Sequence, residues 1–264
     1  MERMNSVSTP PALVDRNAWF PGRVIGGAAL VLGPLVWWAG LLLRYLALHS
    51  GAFTAEQLAE FARQPFAVPS QLAAYLANPA LVTAGYACFA AGALLLWPAF
   101  VTLARVVAAR APVLARWGGT LVVLGLFGRL YFAGVDQTAF HLAASQGLDR
   151  ANEFVAANYA GISYGPWRVG VTASACQYLG MLLLAIGAFR SGTFGLGRCL
   201  VLLWAGTLWG GVLKAVHLAD LFEYGALCLV LVPLGVRVLR DRVAELRAEP
   251  CPGGEVRTLR FLSW

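Results

Sequence analysis

Charge is what this sequence has least of. Only 12% of its 264 residues are Asp, Glu, Lys or Arg, about half the share of a soluble domain. Lysine occurs once, at Lys214, and histidine three times. With 59% hydrophobic residues and a mean hydropathy of +0.68, no ordinary soluble core could hide this much apolar surface, so lipid must solvate most of the chain. Cysteine is sparse too: five, with no C-x-x-C spacing, which gives no disulfide framework and no cysteine metal site. Four of them lie in apolar segments, where cysteine behaves as a small buried hydrophobe. No nucleophile elbow, P-loop, dinucleotide fingerprint or DDxxD-like carboxylate cluster is read, and no internal repeat of the inverted-transporter kind. The usual sequence signatures of a reaction are missing.

What is present is a series of apolar runs long enough to span a bilayer, for which about 20 helical residues suffice. The spacing predicts spans at 24–48, 79–104, 115–142, 166–189, 199–218 and 222–239, with kinks at Gly33-Pro34, Trp97-Pro98 and Pro233. Residues 1–22 are polar and expected to be disordered; they are not a signal peptide, because the apolar run that follows is too long and lacks a cleavage site. Residues 23–240 form the membrane domain, and 241–264 a charged tail. Between the first two spans, Thr54 and Gln57 have capping-box spacing, with Phe53 and Leu58 at the staple positions. This predicts a short amphipathic helix to Gln64, lying on the membrane surface, and a second short segment from Ser70 to Asn78. The connection after the third span carries another short helix near 149–159, and Pro166 opens the fourth span.

The net charge of +7 comes from nineteen arginines and Lys214. They do not form a nucleic-acid surface, because they sit between the apolar runs. Fourteen of the twenty basic residues fall in the N-terminus, the 2–3 and 4–5 connections and the C-terminal part, whereas the 1–2 and 3–4 connections hold only Arg63 and Arg150. The positive-inside rule then places both termini in the cytoplasm and the two long connections outside the plasma membrane. The expected fold is an all-α, six-span bundle with short amphipathic helices in its outer connections.

Within this frame the stretch from Arg129 to His141 stands out. Ionisable groups at bilayer depth are expensive and face partners inside the bundle, so each is a candidate functional residue. Arg129 and Asp136 are seven apart, on one helix face and about 10.5 Å apart along the axis. His141 points roughly 140° away from Asp136. Arg44 and Arg168 lie at similar depth, and Lys214, His217, Asp220 and Glu223 recur at intervals of three, where neighbours pair. The outward-running helices each end in a histidine: His49, His141 and His217. These groups gather on the outer side in a polar chamber under two connections that act as lids.

Three readings of that chamber stay open. In one, the groups are boundary residues that snorkel to headgroups and water, with Arg129 and Asp136 a buried pair holding helices in register. In another, His49, His141 and His217, with Asp136, Asp220 or Glu223, bind a metal such as zinc, iron or copper. In a third, Asp136 and His141 carry acid–base chemistry on a lipidic or isoprenoid-like substrate, Asp136 raised by desolvation. Arg44, Arg129, Arg168, Lys214, Asp220 and Glu223 would then contact the ligand.

Gly33-Pro34, the segment Thr54-Ala-Glu-Gln-Leu-Ala-Glu60 and the run Leu96-Trp-Pro-Ala-Phe-Val-Thr-Leu-Ala-Arg105 resemble the small six-helix membrane proteins of actinobacteria whose activity is unassigned. The resemblance covers the first half of the chain and implies fold and membrane location, with no functional residues. The leading expectation is an outward-facing polar pocket for a small or amphiphilic ligand in an accessory, transport or self-protection role; the alternative is a membrane-embedded enzyme.

Overall fold

The computed structural model describes residues 20–64, 66–164, 169–206 and 216–240. Over these residues the chain is all-helical: α1 (Gly22–His49), α2 (Ala55–Arg63), α3 (Val68–Ala77), α4 (Pro79–Ala108), α5 (Pro112–Gln146), α6 (Leu148–Tyr164), α7 (Val169–Ser191), α8 (Leu196–Ala205) and α9 (Leu218–Leu239). Five helices are long and apolar enough to cross a membrane: α1, α4, α5, α7 over Ala173–Ser191, and α9. They pack as neighbours in the order α9, α1, α4, α5, α7, and α8 bridges α7 back to α9. Of the expected N-terminal tail, 1–22, residues 1–19 lie outside the described residues, as do the tail 241–264 and Pro166.

The fifth expected span, 199–218, is corrected at both ends. α8 starts three residues earlier and is described for ten residues, while Leu218 already opens α9. The turn falls at His217, which takes extended backbone, φ −97° and ψ 162°. Its backbone N–H donates to the Asp220 carboxylate at 2.8 Å. A carboxylate three residues into a helix satisfies one of the orphan groups at the start, so no Gly or Pro is needed there. Pro34, Pro98 and Pro233 all sit inside continuous helices.

The capping box forms as the spacing demands. Thr54 N–H donates to Gln57 Oε1 at 2.9 Å, and Gln57 N–H donates to Thr54 Oγ1 at 3.3 Å. α2 buries no residue of its own. α3 behaves differently: Val68, Ser70, Gln71, Leu72, Ala73 and Ala74 are buried. With α6 it closes one end of the bundle, where a second apolar core joins Ala47, Leu72, Val82, Phe140, Val155 and Tyr159. We call this the capped end.

An internal repeat emerges from the helix contacts. Gly33, Gly40 and Arg44 of α1 recur as Gly118, Gly125 and Arg129 of α5. Ala87-Cys88-Phe-Ala-Ala-Gly92-Ala-Leu-Leu-Leu96 of α4 recurs as Ala175-Cys176-Gln-Tyr-Leu-Gly180-Met-Leu-Leu-Leu184 of α7. The packing repeats with the letters. A Cβ on Gly40 would meet Phe89 N at 2.7 Å, and one on Gly125 would meet Gln177 N at 2.9 Å. One on Gly92 would meet Trp37 N at 2.7 Å, and one on Gly180 would meet Val122 N at 2.6 Å. Each antiparallel pair, α1 with α4 and α5 with α7, is thus closed by glycines seven apart that let backbones touch, the usual packing device where lipid removes the hydrophobic drive. The repeat is direct rather than inverted. Gly26 abuts Thr102 whereas Gly119 abuts Ala104, so the second pair is slid by about ten residues, roughly 15 Å, away from the capped end.

Candidate functional site

The slide places the two equivalent arginines in different surroundings. Arg44 lies on α1 near the capped end and is only 2% exposed. Gly85 makes room for its stem: a Cβ there would lie 3.1 Å from Arg44 Cγ. The guanidinium carbon stands 4.7 Å from the centroid of the Tyr86 ring, a cation–π contact of about 2 kcal/mol when desolvated. Arg44 Nη2 donates to Gln71 Oε1 of α3 at 3.3 Å. Asp136 on α5, also buried, lies within electrostatic reach of Tyr86 and of Tyr159, and Arg44 acts on the same Tyr86. Tyr159 of α6 donates its hydroxyl to the Val135 carbonyl at 2.8 Å. Burial, and after it Asp136, hold that phenol above the ordinary tyrosine range.

Beside this group is a cavity of about 120 Å³, lined by Tyr75, Val82, Thr83, Tyr86, Gln137, Phe140 and His141. Phe140 packs between Tyr75 and Tyr86, with ring centroids 5.0 and 4.8 Å away. The Tyr86 hydroxyl is buried and has no hydrogen-bond partner among the described residues, which costs about 1–3 kcal/mol. Thr83, Gln137 and His141 are exposed and mark the mouth.

Arg129, 1% exposed, sits deeper. Its Nε donates to Gln177 Oε1 at 3.2 Å, and Gln177 Nε2 donates to the Gly206 carbonyl at 3.0 Å. Tyr178 and Tyr224 stand within electrostatic reach. Arg129 therefore fastens α5 to α7 and to the end of α8, while Asp136 belongs to the group around Tyr86 and Tyr159. One helix face supplies both, but different neighbours receive them.

The remaining candidates disperse. His49 does end α1; its ring stacks on Tyr45 at 4.1 Å, with Nδ1 2.9 Å from the Tyr45 carbonyl oxygen. His141 does not end its helix, since α5 continues to Gln146; it stands at the cavity mouth. His217 caps the start of α9 instead of ending an outward helix, and Asp220 serves that cap. Glu223 is half-buried on α9. Lys214 and Arg168 lie outside the described residues. The expected ridge from Lys214 to Glu223 is interrupted, because 216 and 217 are not helical. Among the described residues no three His, Cys, Asp or Glu side chains gather as metal ligands. The metal expectation for His49, His141 and His217 thus finds no gathered ligands among the described residues: His49 ends α1, His141 lies within α5 at the cavity and His217 opens α9.

Five residues that a search for charges passes over complete the site: Gln71, Tyr75, Tyr86, Tyr159 and, at the deeper arginine, Gln177. The available signal was neutral polarity inside apolar segments. One motif also needs amending. Gly161-Ile-Ser163-Tyr-Gly165 spells G-x-S-x-G, but 161–164 are the last turn of α6 rather than the strand-to-helix elbow that exposes a nucleophile. No protein-family model, curated protein or solved structure matches the chain.

Proposed function

We propose that this is a six-span plasma-membrane protein with both termini in the cytoplasm, whose capped end faces outward and binds a small or amphiphilic ligand in an accessory, transport or self-protection role. One observation carries the reading: two buried charges, Arg44 and Asp136, bear on a single buried tyrosine beside a cavity lined by α4, α5 and Tyr75 of α3. A bundle that needed only stability would gain more from apolar packing there, because buried ions are often no better than well-packed hydrophobic residues. The arginine distribution supports the orientation. The second reading, an enzyme acting on a lipidic substrate by acid–base chemistry, draws on the placement of the Asp136 carboxyl near two phenols.

The test is retention. Protein extracted into native-membrane nanodiscs should carry a small molecule, read by mass spectrometry, that Thr83→Trp displaces by filling the mouth from an exposed position. Equal retention by both proteins, or none by either, refutes the pocket. Asp136→Asn separates the two roles: a binding protein keeps its ligand unconverted, whereas an enzyme accumulates substrate in place of product. Single cysteines at Ser50 and Ala109, read with a membrane-impermeant thiol reagent on intact cells, test the orientation; labelling at Ala109 alone would reverse it.

A further inference from the structure

We propose that the start of α8 and the end of α9 together form a site for a phosphate group, carried by an anionic lipid headgroup or free in solution, with Arg198 and Arg237 as its two cations. The site lies at the end of the bundle opposite the cavity, and it is independent of the pocket reading above.

Charge is segregated along the bundle. Arg23 opens α1, Arg110 and Arg116 flank the start of α5, Arg190 closes α7, Arg198 opens α8 and Arg237 closes α9. Every described carboxylate lies elsewhere: in α2, in the second half of α5, in α6 or in the first two turns of α9. No described acid is therefore placed to neutralise the arginine end.

Two of these arginines repel each other. α8 packs on α9, and across that contact Arg237 stands within electrostatic reach of Arg198. Neither can relieve the other by shedding a proton, because arginine stays charged in proteins. Arg198 shares a face of α8 with the buried Leu202 and Ala205, four and seven residues on. It is half-buried and its Nε is sealed from solvent, which fixes the stem. Neither arginine makes a hydrogen bond or an ion pair with a described residue, so the outer nitrogens of Arg198 and the exposed Arg237 stay accessible. A guanidinium fork matches the oxygens of a phosphate, and an anion shared by two forks removes their repulsion. Basic pockets between membrane helices take lipid phosphates in this way. Leu200 and Trp204 on α8 and Leu239 on α9 are exposed and offer contact to acyl chains, which favours the lipid as source.

The experiment uses the full chain in detergent and three probes: phosphatidylglycerol, phosphatidylcholine with the same acyl chains, and inorganic phosphate, read by native mass spectrometry and thermal shift. Phosphatidylglycerol should bind saturably and about tenfold tighter than phosphatidylcholine, whose choline offsets its phosphate. Arg198→Gln and Arg237→Gln should each abolish that preference. Arg190→Gln, which removes the same charge from the exposed end of α7, should keep it. Because the first two variants relieve a repulsion, neither should lower the unfolding midpoint in phosphatidylcholine, so lost binding is not lost folding. A preference for phosphatidylglycerol that inorganic phosphate does not displace identifies the lipid as the source. A midpoint raised by inorganic phosphate through Arg198, with no preference among lipids, identifies the free anion. Equal loss in all three variants, no loss in Arg198→Gln, or no effect of any anion overturns the proposal. So does phosphatidylglycerol binding that appears only after Asp241→Asn and Glu245→Gln, which makes the chain's own carboxylates the occupant.

Discussion

Alanine placed at Gly40 and alanine placed at Gly134 make the same chemical change and should have opposite consequences. At Gly134, on α5, the new methyl meets nothing within 4 Å, so only helix propensity changes, worth about 0.5–1 kcal/mol in favour of alanine. At Gly40 the methyl would lie 2.7 Å from Phe89 N and 2.8 Å from Gly85 O. Carbon contacts rest at about 3.5–4.0 Å, so α1 and α4 must part by roughly 0.7 Å, and a gap of that size forfeits a quarter to a half of each dispersion contact. Both obstacles are backbone atoms that cannot swing aside, and overpacking of this sort costs about 1–3 kcal/mol. The repeat extends the argument: Gly125, 2.9 Å from Gln177 N by the same construction, should lose stability like Gly40. The assay is the unfolding midpoint of detergent-purified protein followed by size exclusion. A Gly40→Ala protein as stable as the parent, or a Gly134→Ala protein that loses several degrees, would refute the seam.

Four further outcomes follow. Arg44→Met removes a buried donor to Gln71 and the cation over Tyr86 and should cost about 2–4 kcal/mol; a double-mutant cycle with Tyr86→Leu in chemical denaturation reads the coupling. Gln177→Leu removes two buried bonds around Arg129 and should cost about 2–3 kcal/mol in the same assay, leaving ligand retention unchanged. Thr54→Ala should cost α2 about 1 kcal/mol, visible as faster hydrogen exchange over 55–63 with little change in the global midpoint. The Tyr159 phenol is held above its unfolded value of about 10, so its contribution is whole below that pH and is lost as pH climbs past it; Tyr159→Phe should flatten the alkaline fall in midpoint.

The sequence was most legible where chemistry is local. The box at Thr54 and Gln57 needs only four residues and formed to the residue, and five of the six spans expected from run length are long apolar helices among the described residues. Reading failed where meaning depends on a neighbouring helix. Gly33, Gly40, Gly118 and Gly125 look like weak points in isolated helices; their spacing of seven acquires a purpose only against Phe89, Leu96, Gln177 and Leu184. Asp220 looked like a ligand because it is charged, yet its nearest task is the backbone of His217, three residues away. The three histidines, expected at three like helix ends, fall at the end of α1, inside α5 and at the start of α9. Arg44 and Asp136 could be suspected from their depth, but Tyr86, on which both act, is an ordinary aromatic until α4 is laid against α1.

A seam in which each backbone occupies the space of the other's missing side chains resists sliding, because a slip of one residue drives a side chain into a peptide. Each welded pair should therefore travel as a block. The chamber draws Arg44 and Tyr86 from one block and Asp136 and Phe140 from the other, so it straddles the joint between them. Any shift of one pair against the other would therefore reshape that cavity.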